Sequence, residues 1–135
     1  MKLSPTQKGV LLEEGREVYG AASFGRDAAR QFPDLASDFE EDLELLHVHM
    51  ATLAGLVRDA IADGDLDTVA RVGAFLDTVL EHPGAVSEIE NAVAISFVDA
   101  REFRSLPHGS EAFRCLPGGV RRILKEQARR DEGAA

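Results

Sequence analysis

Two histidines separated by one residue, His47 and His49, are the first candidates for chemistry in this sequence. Imidazole nitrogens bind transition metals, and a helix that holds one ion with two histidines needs them four residues apart. Residues i and i+2 of a helix point about 200° apart, so His47 and His49 cannot share an ion by themselves. We therefore predict no metal site, and expect hydrogen-bonded or surface histidines.

The DGDLD segment at residues 63–67 begins like a calcium-binding loop, because its aspartates occupy alternate positions. Such a loop also needs a glycine at its sixth position and a bidentate glutamate at its twelfth. Those positions hold Thr68 and Ala74. The segment is explained better by Gly64 ending one helix and Asp65 capping the next.

The sequence contains no pattern typical of a catalytic site. We find no nucleophile elbow, no glycine-rich phosphate loop and no HExxH helix. The single cysteine, Cys115, lies beside Phe113 and Leu116, which indicates a partly buried thiol and leaves no partner for an internal disulfide. We predict no catalytic residue and no cofactor.

Acidic residues are concentrated in the middle of the chain. The net charge is −9, and residues 31–100 contain fifteen acidic and two basic side chains. Phosphate backbones are bound by clustered lysine and arginine, so we expect no nucleic-acid binding by this region. A basic run near the C-terminus is explained better by the helix dipole or by pairing with the acidic region; it comprises Arg121, Arg122, Lys125, Arg129 and Arg130.

These side chains must be positioned by helices, because the apolar residues recur at helical spacing and no segment alternates with period two. We predict an all-α fold, a compact bundle of about six antiparallel helices in a single domain, 1–135. Residues 1–30 form two N-terminal helices, at 4–19 and 23–31, and residues 131–135 form a frayed tail.

The helices that follow are marked by their ends and their apolar faces. A run from Asp34 to Ala62 bends near residues 45–47, and its second half turns Leu46, Met50, Leu53, Val57 and Ile61 inward. A helix at 66–81 then leads through a short connection into a helix at 85–102, capped by Ser87 with Glu90 three residues later. The short connection predicts that these two helices form the central hairpin.

The order of these features resembles an uncharacterised family of small acidic bacterial α-helical proteins, some of which look like immunity proteins of toxin systems. The resemblance covers residues 31–127 and is carried by FPDLASDFEEDLELLHVHM, DGDLDTVARVGAFLDTVLEH, EIENAVAISFVDARE and LPGGVRRILKEQ. It implies a short right-handed stack of helices and a binding role, with no active site to transfer.

Two functions remain open at this point. The first is a non-catalytic module that binds a protein partner, such as a basic toxin, through an acidic helical face. Its predicted partner-binding residues are Asp38, Glu41, Asp42 and Glu44, followed by Asp63 and Asp67. The second is a small-ligand or metal-dependent enzyme with a site between helices, formed by His47, His49, Asp99 and Glu102.

The surroundings of the protein are also predicted. Its N-terminus has the polar segment SPTQK where a signal peptide would have an apolar core, and no apolar run approaches about 18 residues. We therefore expect a cytoplasmic protein that binds no membrane. Apolar positions left over on the helix at 85–102 are compatible with a homodimer.

Overall fold

The computed structural model describes residues 18–133 and confirms the predicted all-α fold. Within this range the backbone forms helices joined by short turns, and its one β-type contact is an isolated bridge between Tyr19 and Ala85. The helices are α1 (Ala21–Gln31), a 3₁₀ turn (Pro33–Leu35), α2 (Ala36–Glu40), α3 (Leu46–Ala62), α4 (Leu66–Leu80), α5 (Ser87–Ser96), α6 (Ala100–Ser105), α7 (Gly109–Arg114) and α8 (Gly118–Gly133).

Helix α3 lies at the centre of the fold and packs against α1, α2, α4 and α5. Its predicted inward face is confirmed, since each of the five side chains named for it is buried. The predicted central hairpin is wrong, because α5 packs mainly on α3 and α8 and not on α4. A short connection therefore did not make these two helices neighbours.

The single helix predicted at 85–102 is divided into α5 and α6. Phe97 leaves the helical conformation with φ −89° and ψ 179°, and Asp99 caps α6 by accepting a hydrogen bond from the Glu102 amide at 2.8 Å. The predicted cap at Ser87 is also wrong, because Val86 takes that position and Ser87 is the first helical residue. Phe97 and Val98 nevertheless reach the core.

The turn between α3 and α4 follows the prediction. Gly64 has φ +73°, a left-handed conformation that glycine adopts without strain, and it ends α3. Asp65 then caps α4, accepting hydrogen bonds from the Thr68 amide at 3.1 Å and from the Thr68 hydroxyl at 2.6 Å. These hydrogen bonds with Thr68 hold the pKa of the Asp65 carboxyl below its usual value.

The two ends of the chain depart from the prediction in different ways. Helix α8 continues to Gly133, so the first three residues of the predicted frayed tail at 131–135 are helical. Nearly all of the predicted helix at 4–19 lies outside the described residues. Within residues 18–133, no helix is long and apolar enough to cross a membrane.

Candidate functional site

Four of the predicted partner-binding residues lie together around the turn between α2 and α3. Their side chains are all exposed, and the turn is held by a hydrogen bond that the Glu44 amide donates to Asp42 Oδ1 at 3.1 Å. We call this group the acidic turn; it consists of Asp38, Glu41, Asp42 and Glu44. Phe39, between them in the sequence, is buried and fixes α2 to the core.

The remaining two predicted residues, Asp63 and Asp67, lie at the opposite end of α3. They flank the turn into α4 and are exposed. Helix α3 has 17 residues, which corresponds to about 25 Å of helix between this turn and the acidic turn. A partner would have to extend along the whole of α3 to contact both groups.

An apolar groove of about 400 Å³ begins at the acidic turn. Its lining includes Leu45 and Val48, which are 46% and 54% exposed, large fractions for apolar side chains. The remaining lining residues come from α1, the acidic turn, α3 and the start of α5 and include two carboxylates; they are Ala21, Glu44, Leu46, His47, Val86 and Glu88. We call this feature the α3 groove.

His47 links the start of α3 to the end of α5. Its Nδ1 lies 2.6 Å from the Ser96 hydroxyl, at hydrogen-bonding distance, and the ring is otherwise exposed. Ile95, the residue before Ser96, is 61% exposed, a large fraction for an apolar side chain. One large apolar side chain of α5 is therefore exposed close to this link.

His49 has a different environment from its neighbour two residues away, as the helical geometry requires. It is 1% exposed, its ring packs edge-on against Phe39 at 5.4 Å, and Gly25 leaves room for it. Burial lowers the pKa of this imidazole, an effect opposed by backbone hydrogen bonding at Asp42, by the Asp42 charge and by the Phe39 backbone. Its Nδ1 has no hydrogen-bond partner among the described residues.

Two of the four residues of the alternative enzyme site are engaged in structural contacts. Asp99 is occupied as a helix cap, and Glu102 pairs with Arg58 through two contacts of 2.5 and 2.9 Å. This pairing with Glu102 raises the pKa of the Arg58 guanidinium. In the part of the chain that the structure describes, no three His, Cys, Asp or Glu side chains lie together in a group that could hold a metal ion.

A buried polar cluster around Asp27 was not predicted from the sequence. The Tyr19 hydroxyl donates to Asp27 Oδ2 at 2.7 Å, and Arg30 pairs with Oδ1 of the same carboxylate. The Tyr19 ring lies 4.6 Å from the His82 ring, and its backbone bonds Gly84 and Val86. Because Tyr19 and Asp27 are each 1% exposed, the cluster fastens Tyr19 to α1 and to the α4–α5 connection and offers no access to a substrate.

Comparison with known proteins supports the resemblance to an uncharacterised family. Neither a search of curated proteins nor a search of solved structures finds a match. A model of a domain of unknown function matches most of the chain, from α1 to near the end of α8. The chain therefore belongs to the family of the domain of unknown function DUF7674, which covers residues 26–130.

Proposed function

We propose that this protein binds a protein partner whose surface is basic and partly apolar, through the α3 groove and the acidic turn. The observation that carries this proposal is the position of the exposed Leu45 and Val48 directly beside the carboxylates of Glu44 and Glu88. The function is that of a non-catalytic binding module.

Burial of the apolar part of this surface would contribute favourable free energy of binding. Burying exposed aliphatic side chains is favourable by about 25 cal/mol per Å², and protein interfaces typically have an apolar centre within a polar rim. Leu45 and Val48 project from the start of α3, whose opposite face is buried in the core. The groove is therefore held by a well-packed helix, so a partner would pay little to order it.

The acidic residues around the α3 groove favour a basic partner. Besides Glu44 and Glu88 in the lining, Asp38, Glu41 and Asp42 belong to the acidic turn, and no lysine or arginine among residues 18–133 lines the groove. Such a field accelerates association with a basic surface and opposes anionic polymers. The surface thus favours a basic protein over nucleic acid or an anionic membrane.

A second copy of this chain fits the groove less well than a basic partner. In a symmetric dimer the same patch contacts itself, so the two acidic rims would face each other. Like charges placed together across an interface cost several kcal/mol. A protein that neutralises a basic toxin, as an immunity protein does, would use the surface in the way proposed.

The proposal is tested by capturing proteins from a lysate of the source cell on the immobilised chain and on two variants. Leu45→Ser/Val48→Ser removes the apolar part of the groove, and Asp63→Asn/Asp67→Asn is the control at the opposite end of α3. We expect the parent and the control to retain the same basic protein, and the groove variant to lose at least nine-tenths of it.

Two outcomes of this capture experiment would refute the proposal. A basic protein retained equally by the parent and the groove variant, or lost from the Asp63/Asp67 control alone, would refute binding through the α3 groove. Because Leu45 and Val48 are exposed, the variant is expected to fold like the parent, and a far-ultraviolet circular dichroism spectrum checks this.

A further inference from the structure

A cavity of about 300 Å³ lies between α6, α7 and α8 and takes no part in the proposed partner surface. Its apolar wall is formed by Ala100, Phe103 and Phe113, the two phenylalanine rings meeting edge-on at 5.4 Å. Phe103 is buried in the core, whereas Phe113 is half-buried and accessible from the cavity. This volume lies at the lower end of the range for pockets that bind small molecules.

In the part of the chain that the structure describes, four cationic side chains and no carboxylate line this cavity. They come from all three helices, and Ser110 adds a hydroxyl; the cations are Arg104, Arg114, Arg121 and Lys125. We call this feature the cationic pocket. It is unusual in a protein whose net charge is −9, because carboxylates are plentiful enough to neutralise it.

Four of the five acidic side chains on the same three helices are directed elsewhere: Glu102 pairs with Arg58, Glu111 with His108, Glu126 with Arg122 and Asp131 with Arg101. Among the described residues, Arg104, Arg114 and Lys125 form no ion pair. Their charges remain available to a ligand.

Two contacts position the cations over the apolar wall. Arg121 Nε donates to the Leu116 carbonyl at 3.0 Å, which orients its guanidinium at the cavity. The Lys125 ammonium lies 5.9 Å from the centre of the Phe113 ring, within the range of a cation–π contact. Arg121 and Lys125 are four residues apart on α8 and so share one face of that helix.

We propose that the cationic pocket binds a small organic anion, a carboxylate or a phosphate attached to an aromatic or aliphatic body. Guanidinium groups bind carboxylates and phosphates through charge-assisted hydrogen bonds, and the phenylalanine wall takes up the apolar body. The opposite charges of the cationic pocket and the α3 groove make the two sites selective for different ligands.

The test uses the full chain and the fluorescent probe 8-anilinonaphthalene-1-sulfonate, an anion with an aromatic body. Arg114→Gln/Lys125→Gln removes two charges from the pocket, and Arg122→Gln/Arg129→Gln removes two exposed charges of α8 that do not line it. We expect the dissociation constant of the probe to rise at least tenfold in the first variant and less than twofold in the second.

Competing ligands identify the chemistry. Phenyl phosphate and 3-phenylpropionate should each displace the probe, and whichever displaces it at lower concentration identifies the preferred head group. Inorganic phosphate, acetate and the neutral 3-phenylpropanol should need at least tenfold higher concentrations. Equal loss of probe affinity in both variants, or displacement by inorganic phosphate as readily as by phenyl phosphate, would overturn the proposal.

Discussion

Helices α6 and α7 approach each other so closely at Gly109 that we expect any side chain there to destabilise the fold. A Cβ atom added there would lie 1.7 Å from the Phe103 carbonyl oxygen and 2.8 Å from its carbonyl carbon, and real Cβ contacts essentially never fall below 3.0 Å. Both obstacles are backbone atoms, so α7 must move away from α6 by more than 1 Å. Overpacking a core costs about 1–3 kcal/mol, and a backbone clash belongs at or above the upper limit. We expect Gly109→Ala to lower the free energy of unfolding by about 3 kcal/mol or more.

Gly55 supplies the matched control, because the same substitution there meets open space. Apart from its two chain neighbours and the adjacent backbone of its own helix, no atom of residues 18–133 lies within 4 Å of an added Cβ, and the residue is in the middle of α3. Alanine should therefore raise the free energy of unfolding by about 0.5–1 kcal/mol through its higher helix propensity. Urea denaturation followed by circular dichroism measures both variants. A Gly109→Ala protein as stable as the parent would refute the packing of α6 on α7.

Three further predictions concern stability. Phe97→Ala should lower the free energy of unfolding by about 3–5 kcal/mol and Ile95→Ala by less than about 1 kcal/mol, because these side chains are 4% and 61% exposed. Similar losses for the two variants in urea denaturation would contradict this assignment of buried and exposed faces. Burial lowers the pKa of His49, so the unfolded state binds more protons than the folded state as the pH falls below about 6.5. The free energy of unfolding should therefore decrease there, by at most about 1.4 kcal/mol per pH unit. His49→Gln should have a flatter pH profile in the same assay, and an unchanged slope would refute the burial argument. Asp99→Ala should lower the free energy of unfolding by about 1 kcal/mol, because it removes the cap on the Glu102 amide. Asp99→Asn should keep most of this stabilisation, and equal losses in the two variants would show that the cap contributes nothing.

The sequence predicted α3 and α4 well because their boundaries depend on local chemistry. Gly64 adopts a conformation that favours glycine, and Asp65 satisfies a backbone amide three residues ahead. Both effects act within one turn of chain and need no knowledge of the rest of the fold. The apolar periodicity of α3 then identified the face that is buried.

The division of residues 85–102 was missed because the apolar pattern continues through the break. Val93 within α5 and Phe97 at the break are both buried, so periodicity alone showed no interruption. Asp99 and Glu102 have the same spacing as Ser87 and Glu90, and this signal was available. The Ser87 cap failed for a tertiary reason: the Val86 amide bonds the Tyr19 carbonyl at 3.0 Å, which places an extended residue at the cap position.

The candidate sites were predicted only in part for the same reason. Exposure of the acidic turn follows from the charge of its residues, and the structure shows it. The exposure of Leu45 and Val48 depends on which neighbours leave them uncovered, and the cationic pocket depends on bringing Arg104 and Arg114 beside α8. Neither juxtaposition is encoded in a local pattern.

The most direct test of the proposed function is the association rate of the captured basic partner with the parent and with a variant of the acidic turn. Asp38, Glu41, Asp42 and Glu44 are exposed, so replacing all four with Asn or Gln should leave the fold intact. Between about 50 and 200 mM salt the screening length falls from roughly 14 Å to 7 Å, so the parent should associate markedly more slowly at the higher salt. The variant should associate more slowly at low salt and show a flatter salt dependence. Association of the variant at the parental rate over the whole salt range would contradict a role for the acidic turn in partner binding.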